Sequence, residues 1–166
     1  MNQILIIDNF LNNPIKTRYI SLLQKFYSKE NHPNKLTAQS FPGMRSAEIS
    51  ILDKSFFENF VIRAAKEMGI SGKTQSSLTF NYLTKNIPLE FHTDTCQKNI
   101  IFSGVLYLNK FIGSNYGTNI GGYEIESKFN RLVLYNGSIP HKPIKSFGNN
   151  KFNSRMTLNF FMSIIE

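Results

Sequence analysis

The sequence predicts a mainly β domain with helices at its N-terminal end, an α+β chain whose β body is a sandwich, jelly roll or barrel. Two observations carry this. Apolar residues recur at helical spacing in the first half, and from residue 77 the period changes to two. The later strand candidates follow one another across Gly/Asn-rich turns with no helix between them, which excludes alternating β-α units. At 166 residues the chain is the size of one ordinary domain.

Residues 3–8 read as a short strand. Asn13-Pro14 reads as a helix start, a capping side chain followed by proline at the first helical position. Ile15, Tyr19, Leu22, Leu23 and Phe26 then form an apolar stripe, predicting a helix over 14–28. Residues 29–47, with Pro33, Pro42 and Gly43, read mostly as loop. A second helix is predicted from Asp53 as cap, burying Phe57, Phe60, Val61, Ala64 and Met68 and stopping at Gly69. Beyond it, Leu78, Phe80 and Tyr82 alternate with Thr79, Asn81 and Leu83. Residues 100–108, 121–126, 131–136 and 155–164 are further strands, and 110–120 reads as a loop, a lid or an insertion.

A hydrophobic fraction of 41% against 18% charged residues excludes a disordered chain. The net charge of +8 favours anionic partners, a small dicarboxylate or nucleic acid. The basic residues are scattered singly, however, which fits a solvated basic surface better than a nucleic-acid footprint. One cysteine, Cys96, excludes an intrachain disulfide framework and suggests a reducing compartment. The first residues lack the pattern of a signal peptide, and no apolar run reaches the ~20 residues of a membrane span. The expectation is a soluble cytoplasmic protein with no membrane partner.

The chemically informative stretch is Phe91-His92-Thr93-Asp94. On extended chain, residues two apart point to the same side, so an imidazole and a carboxylate converge. A further histidine would complete a 2-His-1-carboxylate face, the set that leaves positions open on non-haem iron. Of the remaining histidines, His141 in Ile139-Pro140-His141-Lys142-Pro143 follows a strand, whereas His32 reads as a surface loop residue. The bland alternatives are a hydrogen-bonded His92–Asp94 pair and a turn residue at His141. On the last strand Arg155 and Thr157 share one face, opposite Met156, Leu158, Phe160 and Met162. A guanidinium beside a hydroxyl is able to grip a carboxylate; the alternative is a surface salt bridge. Gly72-Lys73-Thr74 imitates a phosphate-binding loop, but the required upstream glycine is Glu67 and the stretch follows a helix. Arg45, beside Pro42-Gly43, is placed to reach the mouth of a pocket, but reads better as a loop arginine in solvent.

Taken in order, His92-x-Asp94, a distal His141 and an arginine on the last strand make residues 78–163 resemble the 2-oxoglutarate/Fe(II) oxygenases, in their prolyl-4-hydroxylase-like branch. Leu106-Tyr107-Leu108-Asn109, Gly121-Gly122-Tyr123-Glu124 and Asn130 to Tyr135 are similar to the family's strands and turn. The resemblance implies a double-stranded β-helix, or jelly-roll barrel, in one domain over 1–166, with 1–76 as helical support and 77–166 as the jelly-roll body. It implies Fe(II) on His92, Asp94 and His141, O2 as oxidant, and 2-oxoglutarate as cosubstrate on Arg155, Thr157, Tyr107 and Tyr82. The products are succinate and CO2, and the hydroxylated substrate is a small molecule or a peptide. A nucleobase demethylase on the same centre, with nucleic acid as a less favoured partner, and a non-catalytic metal-binding barrel are the alternatives.

Overall fold

The computed structural model describes residues 4–33, 41–94, 102–110 and 113–165. Cys96, the first residues of the strand predicted at 100–108 and part of the 110–120 stretch lie outside them. Two antiparallel sheets form the body. The larger holds β1 (Leu5–Ile7), β2 (Phe26–Tyr27), β3 (Met44–Ser46), β4 (Thr74–Leu83), β5 (Phe102–Tyr107), β8 (Leu132–Asn136) and β10 (Arg155–Ile164), in the order β1-β8-β5-β10-β4-β3-β2. The smaller holds β6 (Thr118–Ile120), β7 (Tyr123–Ile125) and β9 (His141–Pro143), in the order β7-β6-β9. Strands distant in sequence are neighbours in the large sheet, as a jelly roll requires.

Period-two patterning sorts the side chains of the large sheet. On β10, Met156, Leu158, Phe160 and Met162 join Leu78, Phe80, Leu132 and Leu134 in one core, packed against the helices. The opposite face carries Val105, Tyr107, Val133 and Tyr135, which pack on Ile120 of the small sheet. The helices thus cover one face and the small sheet the other, and the polar residues of the inner face are held between the sheets.

The helices are α1 (Pro14–Leu23), α2 (Ile49–Leu52) and α3 (Lys54–Glu67). In α3 the Asp53 side chain caps the Phe56 amide, and Gly69, at φ 66°, takes the left-handed position that ends helices. Phe60 and Ala64 are buried, and Phe57, Val61 and Met68 pack against the same core. Phe60 meets Phe10 edge-on at 5.0 Å and Phe160 at 5.4 Å, fixing α3 to β10.

The predicted stripe of α1 is corrected. Asn13 caps the helix as expected, accepting from the Lys16 amide. Leu22 and Phe26 pack against the core as expected, but the fully buried residues of the helix are Thr17 and Ser21, while Ile15, Tyr19 and Leu23 are exposed. The two hydroxyls donate to helix carbonyls at Asn13 and Arg18, so they enter the interior already satisfied. The helix stops at Leu23, and Phe26–Tyr27 pairs with β3 instead of continuing it. Residues 29–47 likewise contain a strand, β3, which joins β4. The 1–76 segment therefore adds strands as well as helices to the body. The described part of 110–120 is a 3-10 turn followed by β6, and 121–122 is not strand but the β6–β7 turn. Gly121 and Gly122 both have positive φ there, which a two-residue hairpin of this hand requires.

Candidate metal centre

His92 and His141 approach from different segments and are locked by the backbone. They form an antiparallel bridge in which each amide donates to the other's carbonyl, at 3.1 and 2.9 Å. Asp94 is fixed by its amide, which donates to the Gly137 carbonyl at 2.8 Å. One ligand atom from each of His92, Asp94 and His141 lies within 4.8 Å of the others. His141 Nε2 is 3.2 Å from one Asp94 oxygen and His92 Nε2 is 4.0 Å from the other. Asp94 and His141 are buried, and His92 is half-buried at the cavity wall.

The neighbouring groups prepare these atoms for a cation. The Nδ1 of His141 lies 2.9 Å from the Ile139 carbonyl, and that of His92 lies 3.3 Å from the Glu90 carbonyl. A carbonyl only accepts, so Nδ1 carries a proton in each ring and Nε2 is the nitrogen turned towards the carboxylate, the atom that ligates a metal when the ring is neutral. Ser103 donates at 2.5 Å to the Asp94 oxygen that His141 approaches, leaving the other turned towards His92. The Tyr135 ring meets the His141 ring edge-on at 4.8 Å. Burial pushes the Asp94 carboxyl up, but the His141 hydrogen bond and charge, the Ser103 hydroxyl and the His92 charge outweigh it and hold it below the ordinary carboxylate value. Burial and the adjacent His141 hold the His92 imidazole below its ordinary value. An ionised carboxylate and a neutral imidazole at neutral pH are the forms that ligate a metal. The donor set, one oxygen and two nitrogens gathered on one side, fits a divalent transition metal with open positions.

The three residues line a cavity of about 300 Å³ between the sheets, which also contains Arg155, Arg45 and Thr118. Arg155 is buried, and its Nε donates to the Tyr116 carbonyl at 3.0 Å, its Nη2 to Gly117 and Thr118. The surface salt bridge is thereby excluded. Burial lowers its guanidinium from the ordinary value. Its strand is pinned by Asn109, which accepts from the Met156 amide at 2.7 Å and donates to the Ser154 carbonyl at 2.9 Å. The Tyr107 ring lies 5.6 Å from the guanidinium, and its hydroxyl bonds Thr118 Oγ1 at 2.7 Å.

Two expected contacts are not brought together. Thr157 shares the inner face with Arg155, but its hydroxyl donates to Asn159 at 2.8 Å. Tyr82 sits opposite Met156 in the β4–β10 ladder, so alternation turns it to the helix side, where it packs edge-on against Phe26. His32 is corrected as well. It is buried, not on the surface, with Nε2 2.9 Å from the Ser46 carbonyl, and belongs to the β3 region rather than the centre. Arg45 is buried too, not in solvent. Sequence reasoning missed Ser103, Thr118 and Tyr135. Parity with Tyr107 along β5 would have placed Ser103 on the inner face.

No protein-family model and no curated protein matches the sequence. Solved structures match the fold. A prolyl-4-hydroxylase of Pseudomonas putida has a TM-score of 0.66 at 14% identity, covering 100% of this chain and 95% of that one. HygX of Streptomyces hygroscopicus, with nickel and 2-oxoglutarate bound, has a TM-score of 0.72 at 10% identity over 98% and 83% of the two chains. A Trichoplax adhaerens prolyl hydroxylase, in complex with a hypoxia inducible factor peptide fragment, has a TM-score of 0.64 at 16% identity over 98% and 84%. The fold is thus the double-stranded β-helix of the 2-oxoglutarate/Fe(II) oxygenases, and at these identities the likeness is one of fold.

Proposed function

We propose that this chain is an Fe(II)- and 2-oxoglutarate-dependent dioxygenase that hydroxylates an unidentified small metabolite or peptidyl side chain, with succinate and CO2 as coproducts. The observation that carries the reading is the gathering of His92, Asp94 and His141 in the same cavity as the buried Arg155. Similar folds bind such partners: HygX has been solved with hygromycin B, and the Trichoplax enzyme with a peptide.

His92, Asp94 and His141 hold the metal, which when bound supplies oxygen activation coupled to oxidative decarboxylation of the cosubstrate. Ser103, Ile139 and Glu90 keep the ligand atoms oriented. Arg155 receives the distal carboxylate of 2-oxoglutarate, with Thr118 and Tyr107 holding that guanidinium in place. The paired sheets exclude bulk water from the cavity floor. Residues 1–166 act as one catalytic domain in a reducing compartment, consistent with the single cysteine.

Succinate formation from 2-oxoglutarate, measured with Fe(II) and ascorbate under air, tests this. Metal-dependent succinate that disappears in Asp94→Ala supports the reading. Succinate formation unchanged in Asp94→Ala refutes the ligand assignment, and none in the folded wild type refutes the enzyme.

A further inference from the structure

The cavity holds a second buried guanidinium that the proposed reaction does not use. Arg45, on β3, is 3% exposed and its Nε has no hydrogen-bond partner. Among the described residues no carboxylate lies within ion-pair distance of it. Its charge is instead sandwiched between aromatic rings, 5.0 Å from the Phe41 centroid and 5.8 Å from that of Phe161. Burial lowers its pKa to about 10, so it remains a cation at neutral pH. Directly across the β3–β4 ladder stands Asn81, fully buried. Its Oδ1 accepts from Thr79, but its Nδ2 is also without a partner. Two orphaned donors on neighbouring strands, one of them charged, are costly unless something fills them.

Arg45 faces the same cavity as the metal centre, and the charges of Glu48 and then Asp94 favour its cationic form without a direct ion pair among the described residues. It is distinct from Arg155, whose Nε and Nη2 are held by Tyr116, Gly117 and Thr118 and whose guanidinium is thereby placed for the cosubstrate. Phe41 and Phe161 lie against it, and Pro42, Leu89 and Phe91 add further apolar surface to the cavity, alongside the polar Glu90 and Asn159. A ligand that satisfies this region carries an anion at one end and an apolar body. We infer that Arg45, backed by Asn81, is the anchor for a carboxylate on the substrate, so that the enzyme acts on a small organic acid with an apolar body. This rests on the oxygenase reading for the word substrate; the anion site itself does not depend on it.

The test uses 4-fluorophenylacetate and its neutral amide as probes, followed by fluorine NMR. Each is titrated into metal-free protein and into protein loaded with Zn(II) and saturating 2-oxoglutarate. A charge-assisted hydrogen bond implies that the acid binds about tenfold or more tightly than the amide. Arg45→Met should remove that preference and Arg45→Lys should keep part of it. Asn81→Asp, which supplies an internal carboxylate opposite Arg45, should block the acid and leave the amide unchanged. Calorimetry of 2-oxoglutarate binding to the Zn(II) protein should show little change in any of the three. Arg45→Met should melt at or above the wild-type temperature, because an unpaired buried charge is replaced by an apolar chain.

Equal binding of acid and amide, or binding of neither, overturns the inference. So does a tenfold loss of 2-oxoglutarate affinity in Arg45→Met, which would assign Arg45 to the cosubstrate. A clear fall in melting temperature with the acid preference intact would make Arg45 a packing residue. Failure of 2-oxoglutarate to bind wild-type Zn(II) protein tells against the oxygenase reading alone, since the acid-to-amide preference is read in metal-free protein as well.

Discussion

Ser103→Ala is the perturbation that best separates a prepared metal centre from a chance cluster. The Ser103 hydroxyl donates to one Asp94 oxygen at 2.5 Å and is 1% exposed, so no water replaces it cheaply. This bond fixes the rotation of the carboxylate and leaves the other oxygen turned towards His92. A hydrogen bond to a charged group contributes about 1.5–3 kcal/mol, and each ~1.4 kcal/mol is a factor of ten in affinity. Groups that orient metal ligands cost about 10–100-fold in affinity when removed, which agrees. Ser103→Ala should therefore weaken Co(II) binding about 10–100-fold, read by competition against a chromophoric chelator. Ser103→Thr, which keeps the hydroxyl, should lose much less. An affinity within about twofold of wild type in folded Ser103→Ala protein would show that Asp94 is not held for a metal by this bond, and the argument from orientation would fail.

Other consequences are open to measurement. His92 has its folded pKa below the ordinary value of about 6.5, so the fold prefers the neutral ring. Stability of metal-free protein is then full above that value and declines as pH falls through it towards the folded pKa; His92→Gln should flatten the decline in melting temperature between about pH 7 and 5. Metal affinity should fall over the same acid range, as chelator competition at several pH values would show. Asn109→Ala leaves the Met156 amide and the Ser154 carbonyl without partners, at a cost of about 2 kcal/mol or more in chemical denaturation, and should weaken 2-oxoglutarate by loosening the start of β10. Phe60→Ala opens the contact between α3 and β10 and should cost about 3–5 kcal/mol of stability without altering metal affinity.

The sequence made the β body legible because the central strands of the large sheet bury one face against the helices and the other against the second sheet. Alternation on β10 correctly separated Met156, Leu158, Phe160 and Met162 from Arg155 and Thr157. The same rule, carried across the β4–β10 ladder, would have turned Tyr82 away from the site; register is not readable from one strand alone. The error in α1 has a different cause. Its fully buried positions are the hydroxyl residues Thr17 and Ser21, beside the partly buried Ile20 and Leu22, and hydroxyls that bond their own helix do not announce burial by hydrophobicity. The convergence of His92 and Asp94 followed from their spacing, but its completion depends on the bridge that pairs His92 with His141, a contact between segments distant in sequence. The sequence places Arg45 in solvent in preference to the pocket mouth because β3 is short and preceded by Pro42 and Gly43, which read as loop.

The most direct test of the central claim is an anaerobic titration of metal-free protein, first with Fe(II) and then with 2-oxoglutarate, following the visible metal-to-ligand charge-transfer band. The account predicts a saturable band that is absent in Asp94→Ala and requires a much higher 2-oxoglutarate concentration in Arg155→Ala. A folded wild-type protein that binds Fe(II) and shows no band at any 2-oxoglutarate concentration would contradict it.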